Sequence, residues 1–216
     1  MQGGLVQYRT GRAAELGGQM LQNMFRYRHN VFVDTLKWPL LTDGVHEIDQ
    51  YDRQDTIYVM AEASPDCIAG VARLLPTTGP YLLQEIFPEL VSYIDLPQSE
   101  SVWELSRFAA TSQAEGHDDE PDRHLQFSAE LSTSLLREVI VCALRQGARQ
   151  LIMVSSVAAE RLMRRCGFKP IRAGVPKQVD GEWIAAFLLD IAQTHEAAVP
   201  HVGRRDGLPY MHTGLG

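Results

Sequence analysis

Several features that would identify a protein's class are missing from this chain of 216 residues. It has no surplus of positive charge; its formal net charge is −7, which argues against a general nucleic-acid binder. Its three cysteines are scattered and include no Cys-x-x-Cys pair, so neither a disulfide framework nor a zinc site is indicated. No basic N-terminal region precedes an apolar run, and no apolar run is long enough to span a bilayer. We therefore expect a soluble, cytoplasmic protein that binds neither metal nor membrane.

The chain also lacks a Gly-x-Gly-x-x-Gly or Gly-Lys-Ser/Thr loop, which argues against a doubly wound nucleotide-binding fold. Its length suits one domain, and 45% hydrophobic residues are enough for a substantial core. We expect this domain to cover residues 1–192. Residues 193–216 lack clear periodicity and are expected to form a partly disordered tail.

Hydrophobic periodicity predicts an α+β chain, a mixed α/β sandwich around one twisted sheet. A first strand near residues 5–8 precedes a helical region over 13–33, which the Gly17-Gly18 pair interrupts. The later predicted strands are 56–63, 67–75, 102–110, 151–154, 168–173 and 183–190. The later predicted helices are 81–87, 125–146 and 157–166, and residues 111–123 are expected to form a polar surface loop.

The most informative segment is Trp103 to Phe108, where an acid, Glu104, and a base, Arg107, lie three residues apart on one predicted strand. Strict alternation would send these two side chains to opposite faces of the strand. If both serve one site, the strand must carry an extra residue, a β-bulge, between them. The alternative is that each forms an ordinary ion pair with a local partner at the sheet edge.

Three upstream segments add polar and aromatic residues. Residues 28–32 place an arginine and a phenylalanine four apart on one helix face, and Trp38 follows six residues later. Residues 47–52 form an acidic loop, and residues 72–76 place an arginine at the end of the predicted hairpin. Taken singly, the aromatic residues could be core residues and the aspartates could cap turns.

Taken together and in this order, these segments resemble the acyl-homoserine-lactone synthases, the LuxI-type autoinducer synthases. The resemblance runs from about Met24 to Asp190. The matching positions are Arg28, Phe32, Trp38, Asp49, Asp52, Arg73, Glu104 and Arg107. One departure is Lys37, where many members have glycine, and it bears on loop shape rather than on chemistry.

The resemblance implies a fold like that of the GNAT acyltransferases, with helices on both faces of the sheet and a V-shaped cleft where central strands splay apart. Ordinary GNAT enzymes bind acetyl-CoA pyrophosphate with a glycine-rich loop after this strand. Here residues 111–116 do not match that loop, so an acetyl-CoA enzyme is less favoured.

The family's activity is the transfer of an acyl chain from acyl carrier protein to the amine of S-adenosylmethionine. The substrate carboxylate then closes the lactone and releases methylthioadenosine, which yields a quorum-sensing signal. S-adenosylmethionine is a substrate, so no cofactor is implied. Two alternatives stay open: an acyltransferase that uses acyl-CoA or a different amine, and a non-catalytic protein that binds acyl carriers.

The resemblance also implies roles for individual residues. Glu104 is the candidate base for the substrate amine, and Arg107 is the second catalytic candidate. Ser106 and Arg73 are expected to support the site. The candidates for binding S-adenosylmethionine are Arg28, Phe32, Trp38, Asp49, Asp52 and Arg107. The candidates for the acyl pocket are Met153, Val154 and Ser155.

Charge is unevenly spread along the chain. Residues 145–172 contain seven basic residues and one acidic residue, a net charge of +6, so the remainder carries −13. Acyl carrier protein is acidic, and we expect it to dock here in a salt-dependent manner. The candidate docking residues are Arg145, Arg149, Arg161, Arg164, Arg165 and Lys169. The alternative is a solvated helix face with internal ion pairs.

Overall fold

The computed structural model describes residues 6–113 and 125–192, except for the side chains of residues 112, 113 and 125. The predicted tail over 193–216, and most of the predicted loop over 111–123, lie outside the described residues. Within them, no helix is both long enough and apolar enough to cross a membrane.

In the described part of the chain, one mixed sheet of nine strands forms the centre of the fold. The strands are β1 (Gln7–Arg12), β2 (Ile57–Ser64), β3 (Cys67–Pro76), β4 (Val102–Gln113), β5 (Leu125–Phe127), β6 (Gln150–Ser156), β7 (Ile171–Arg172), β8 (Lys177–Val179) and β9 (Glu182–Asp190). The α-helices are α1 (Ala13–Leu16), α2 (Gly18–Arg28), α3 (Leu82–Ile86), α4 (Ala129–Arg145) and α5 (Val157–Arg165). A π-helical segment, His29–Thr35, continues α2, and a 3₁₀ turn, Pro88–Leu90, follows α3.

The strand order is β1-β2-β3-β4-β6-β9-β7, with β5 paired to β4 and β8 to β9. Among the described strands only the β4–β6 pair is parallel, and its register ends at Leu105 opposite Met153. Beyond that point β4 pairs with β5, whereas β9 is the one described strand that still pairs with β6. The two central strands therefore part after four paired residues, which confirms the splayed sheet and its cleft.

Alternating side chains along the strands build a separate core on each face of the sheet. Val59 and Leu105 belong to a cluster on the face covered by α4. Tyr58 and Met60 point the other way and pack with residues of α2 and the π-helical segment. On that second face α3 contributes Leu83 to a further cluster. Helices therefore cover both faces, as the resemblance implies.

The start of α4 differs from the prediction, whereas the break near residue 17 agrees with it. The helix predicted from residue 125 begins at Ala129, because the Ser128 side chain accepts a hydrogen bond from the Leu131 amide and so caps the helix. Residues 125–127 instead pair with β4. The predicted break near residue 17 is confirmed at Gly17, whose φ of 81° favours glycine.

The end of the sheet also departs from the prediction. The strand predicted over 168–173 is limited to two residues of β7, and β8 was not predicted. Both are short edge segments that pair with β9, so their local patterns carry little signal.

Candidate active site

A β-bulge in β4 turns Arg107 toward the same face of the sheet as Glu104. Ser106 pairs with Arg73, but the next pair in the register is Ala109 with Val71, so β4 carries one extra residue opposite β3. Arg107 adopts a φ of 49°, in the left-handed region that non-glycine residues rarely occupy. The predicted bulge is thus confirmed, with Arg107 inside it rather than beyond it.

Three arginines and three carboxylates form a closed ionic network on this face. The arginines are Arg28, Arg73 and Arg107, and the carboxylates are Glu47, Asp49 and Asp52. Arg73 donates from Nη1 to Asp49 at 2.5 Å and from Nε to Ser106 Oγ at 3.0 Å. The formal charges of these six groups cancel, so their burial is compensated within the network.

Asp52 is the most connected carboxylate of the network. It accepts two hydrogen bonds from Arg28 at 2.7 and 3.0 Å, one from Tyr58 at 3.0 Å and one from the Asp49 amide at 2.8 Å. Burial opposes ionisation, but the charge and hydrogen bonds of Arg28 outweigh it and lower the pKa of Asp52 to about 2. Asp52 is therefore ionised at neutral pH.

Arg28 lies inside the network rather than at its surface. Its side chain is fully buried, and Nε, Nη1 and Nη2 all donate to Glu47 or Asp52. A guanidinium so completely paired braces the acidic loop against α2. This placement favours a structural role over the direct substrate contact expected from the sequence.

Arg73 is equally buried, and it connects the acidic loop to β4 through Asp49 and Ser106. Its Nη2 has no hydrogen-bond partner among the described residues. The supporting position expected for Arg73 and Ser106 agrees with these contacts.

Glu104 is 1% exposed and stands apart from the ionic network. Its two oxygens accept hydrogen bonds from the backbone amides of Leu82 and Leu83, at 3.0 and 2.6 Å, in the first turn of α3. Burial raises the pKa of Glu104, while these amide hydrogen bonds and the charges of Arg73 and Arg107 act in the opposite direction. It is the one carboxylate at the site that lacks an arginine hydrogen bond among the described residues.

Arg107, Phe32 and Trp38 form a layered stack. The Arg107 guanidinium lies 5.7 Å from the Phe32 ring centre, and the Phe32 and Trp38 rings are stacked with centroids 5.0 Å apart. Phe32 is buried, whereas Trp38 is 41% exposed. Lys37, just before the tryptophan, has a φ of 58° and so adopts the conformation that glycine would favour.

The predicted acyl-pocket residues lie where β6 separates from β4. Met153 forms the last pair with β4 and is buried, while Val154 and Ser155 continue on the splayed end of β6 and are partly exposed. The three positions therefore lie where the two strands part.

All six predicted docking residues are exposed. Arg145 ends α4 and Arg149 precedes β6, whereas Arg161, Arg164 and Arg165 lie on α5. Glu160 is buried and accepts hydrogen bonds from Arg164 and Arg172, so part of the positive charge is used internally. Within the described residues, Arg161, Arg165 and Lys169 make no ion pair.

Glu47 is a site residue that the sequence did not single out. Its carboxylate is 1% exposed and lies between Arg28 and Arg107. The two arginines outweigh the effect of burial and lower its pKa. The sequence could have indicated Glu47 because it stands two residues before Asp49, and alternate residues of an extended segment share a face.

Comparison with known proteins identifies the family of this chain. A model of the family described as "Autoinducer synthase" matches residues 13–199. The acyl-homoserine-lactone synthase of Acinetobacter nosocomialis is 46% identical over 166 residues, which cover 76% of this chain and 88% of that protein.

Solved structures show the same architecture. The crystal structure of TofI in a ternary complex with an inhibitor and MTA has a TM-score of 0.75 and 42% identity, covering 88% of this chain and 95% of that one. BjaI, a CoA-dependent acyl-homoserine lactone synthase solved with SAM and isopentyl-CoA, has a TM-score of 0.73 and 26% identity, covering 95% of each chain. An acyl-CoA N-acyltransferase from Pseudomonas aeruginosa shares the fold alone, with a TM-score of 0.54 and 17% identity. The chain therefore belongs to the autoinducer synthase family, the acyl-homoserine-lactone synthases, which are acyltransferases.

Proposed function

We propose that this protein acylates the amine of S-adenosylmethionine with an acyl chain from acyl carrier protein and then forms the N-acyl-L-homoserine lactone. The observation that carries the proposal is Glu104, a buried carboxylate held by two backbone amides beside a balanced ionic network. An α-amino group, with a reference pKa of about 7.7–8.0, is largely protonated at neutral pH and must lose a proton before it attacks. Glu104, directly or through water, is the proposed acceptor of that proton.

The charge of the site suits the substrate. Because the six charges of the network cancel, the network and an ionised Glu104 together carry one negative charge. S-adenosylmethionine carries a sulfonium, an ammonium and a carboxylate, and its net charge is +1. Asp49, the most exposed acid of the network at 15%, is the proposed acceptor for the ammonium. Phe32 and Trp38 are proposed to cover the sulfonium and the adenine, because aromatic faces attract cations.

The proposed chemistry consists of two substitutions. In the first, the amine nitrogen bonds to the thioester carbonyl carbon, the carbon–sulfur bond breaks, and the carrier leaves as a thiol. In the second, a carboxylate oxygen bonds to the γ-carbon of the methionyl group and displaces methylthioadenosine from it. The bulge leaves Arg107 and Phe108 without register partners on β3, and backbone amides there are the proposed donors to the carbonyl oxygen in the first step.

The choice of acyl carrier protein as donor rests on charge. Exposed basic side chains on α5, which begins directly after the splayed end of β6, offer a surface for an acidic carrier near the cleft. The competing donor is acyl-CoA, because the relative BjaI is described as CoA-dependent. In either case, the acyl chain is proposed to lie beside Met153, Val154 and Ser155.

The test is incubation of the purified protein with S-adenosylmethionine and matched sets of acyl carrier proteins and acyl-CoAs. Mass spectrometry should detect N-acyl lactone and methylthioadenosine in equal amounts, with faster turnover from the carrier-bound donors. Absence of both products with every donor would overturn the proposal. Faster turnover from acyl-CoA would replace only the donor.

A further inference from the structure

We infer that Glu47 is a positioning residue whose buried carboxylate sets which donors of Arg107 are available to the carboxylate of S-adenosylmethionine. The inference rests on the proposed function, because it requires that Arg107, a candidate for binding S-adenosylmethionine, holds the carboxylate of that substrate bidentately. Glu47 itself is not proposed to touch the substrate.

The first argument is the number of contacts that Glu47 makes with Arg107. Nε of Arg107 donates to the two carboxylate oxygens at 3.2 and 3.1 Å, and Nη2 donates to Oε1 at 2.9 Å. Glu47 thus binds the Nε–Nη2 edge of the guanidinium side-on. Such paired, charge-assisted hydrogen bonds fix orientation as well as distance.

The second argument is the count of donors that remain. A guanidinium has five N–H groups, of which one lies on Nε and two on each Nη. Glu47 engages Nε and Nη2, and Asp49 accepts from Nη2 at 2.8 Å. No described residue accepts a hydrogen bond from Nη1. The two Nη1 donors are therefore the ones left for a ligand carboxylate.

The third argument is that Glu47 is itself held firmly. The backbone amide of Glu47 donates to the Phe25 carbonyl of α2 at 3.1 Å, and its backbone forms an isolated β-bridge with Thr42. Its Oε2 also accepts a 2.6 Å hydrogen bond from Arg28. The fully buried Arg28 thus supports the orientation of Arg107 through Glu47.

The fourth argument is that Arg107 needs such support. Its left-handed backbone is one that a branched or long side chain adopts at a cost, and surrounding contacts must maintain it. Its long side chain would otherwise sample several rotamers. The Phe32 ring restricts one side of the guanidinium, and Glu47 restricts its edge.

The experiment compares two ligands that differ only in the group that Arg107 is proposed to hold. Decarboxylated S-adenosylmethionine keeps the sulfonium and the amine but lacks the carboxylate. In Glu47→Gln, the Kd for S-adenosylmethionine should rise about tenfold, since misplacing one clamp has effects of that order or larger. The Kd for the decarboxylated ligand should change less than about twofold. A merely electrostatic effect of the lost charge would weaken the more cationic decarboxylated ligand at least as much.

The matched control is Glu62→Gln. Glu62 of β2 is another buried carboxylate, 5% exposed, and it lies 2.9 Å from Arg9 of the edge strand β1. Its replacement should leave both Kd values unchanged. In an Arg107→Lys background, Glu47→Gln should add little further loss, because Glu47 acts through Arg107.

Equal weakening of both ligands, unchanged binding of S-adenosylmethionine, or fully additive losses in the double variant would each overturn the inference. If Glu47→Gln does not fold, Glu47→Asp carries the same comparison, because it keeps the charge but withdraws the carboxylate by one methylene. Product formation by the unaltered protein tests the proposed function separately. Binding without product would overturn the proposed function and leave the role of Glu47 to be judged by the ratio of the two Kd values.

Discussion

The carboxylate of Glu104 accepts its shortest hydrogen bond, 2.6 Å, from the backbone amide of Leu83 at the start of α3. This contact joins the proposed base to a helix that is tied in turn to the acidic loop, since Tyr51 donates a 2.7 Å hydrogen bond to Glu85 of α3. The amides hold the carboxylate in place without neutralising it. A buried carboxylate of this kind lowers stability but retains basicity, which suits a catalytic base.

Glu104→Gln should separate activity from stability. The amide oxygen of glutamine can still accept from the Leu83 amide, but the side chain can no longer accept a proton. We expect turnover to fall about 10²- to 10⁴-fold, with little change in the Kd for S-adenosylmethionine. The cost of burying a charge is removed, but the Leu82 amide loses its acceptor, so the melting temperature should change little.

Calorimetry and single-turnover assays on the same preparation of Glu104→Gln would check both expectations. In the unaltered protein, activity should decline on the acid side with a pKa above the ordinary glutamate value, since burial raises the pKa of Glu104. Any residual activity of Glu104→Gln should not show this decline on the acid side. Full activity in Glu104→Gln would contradict the assignment.

Asp52→Asn should destabilise the protein, and the loss should depend on pH. At neutral pH the free energy of unfolding should fall by about 3–5 kcal/mol, because Arg28 is left buried with an incomplete partner. The folded pKa of about 2 is below the unfolded value of about 3.9, so the stabilisation from ionised Asp52 is complete above about pH 5. It is lost as the pH falls toward 2, and the difference between the two proteins should shrink over that range.

Urea unfolding between pH 7 and pH 2 measures this difference. Asp55→Asn is the control, because Asp55 forms an exposed ion pair with Arg53 and its loss should cost less than about 1 kcal/mol at any pH. A constant difference between Asp52→Asn and the unaltered protein across the range would show that ionisation of Asp52 is not its source.

The sequence predicts the sheet and its helices because they depend on local patterns, whereas the proposed site residues come from the resemblance to the family. The apolar run of β2 and the apolar spacing of α4 can be recognised in short windows. The three-residue interval between Glu104 and Arg107 predicts a bulge once both residues are assigned to one site. It does not show which residue takes the strained conformation, because several placements of the extra residue are compatible with the same interval. The structure assigns that conformation to Arg107.

Partners that come from distant elements are harder to predict. The role of Glu47 depends on one arginine from α2 and another from β4, whose approach is set by the packing of both elements. Arg28 has the residue type of a substrate clamp, yet its burial favours a brace. Burial and pairing follow from tertiary packing, which a local motif does not specify.

The two stacked aromatic residues should respond differently to truncation. Phe32 is 1% exposed, so Phe32→Ala should lower the free energy of unfolding by about 3–5 kcal/mol. Trp38 is 41% exposed, so Trp38→Ala should cost much less stability but raise the Kd for S-adenosylmethionine about three- to tenfold, through loss of a cation–π contact.

Trp38→Phe should restore much of that affinity, since a smaller aromatic face remains. Chemical denaturation and calorimetric binding distinguish the two effects. Unchanged affinity in Trp38→Ala would remove Trp38 from the proposed substrate site.

Charge reversal on α5 should weaken only the carrier-bound donor. Arg161 and Arg165 are four apart, so they share a helix face, and both are exposed. Arg164 is a poorer choice because it already donates to Glu160 and to the Pro170 carbonyl. The double variant Arg161→Glu/Arg165→Glu should raise the KM for acyl carrier protein about tenfold at low salt and leave the KM for S-adenosylmethionine unchanged.

The control is Arg137→Glu/Lys177→Glu, which makes the same change in net charge at exposed positions outside residues 145–172. Because exposed charges are screened within about 8 Å at physiological ionic strength, the difference between the two double variants should narrow as salt is added. If the two double variants have equal KM values for acyl carrier protein, the docking surface lies elsewhere on the protein.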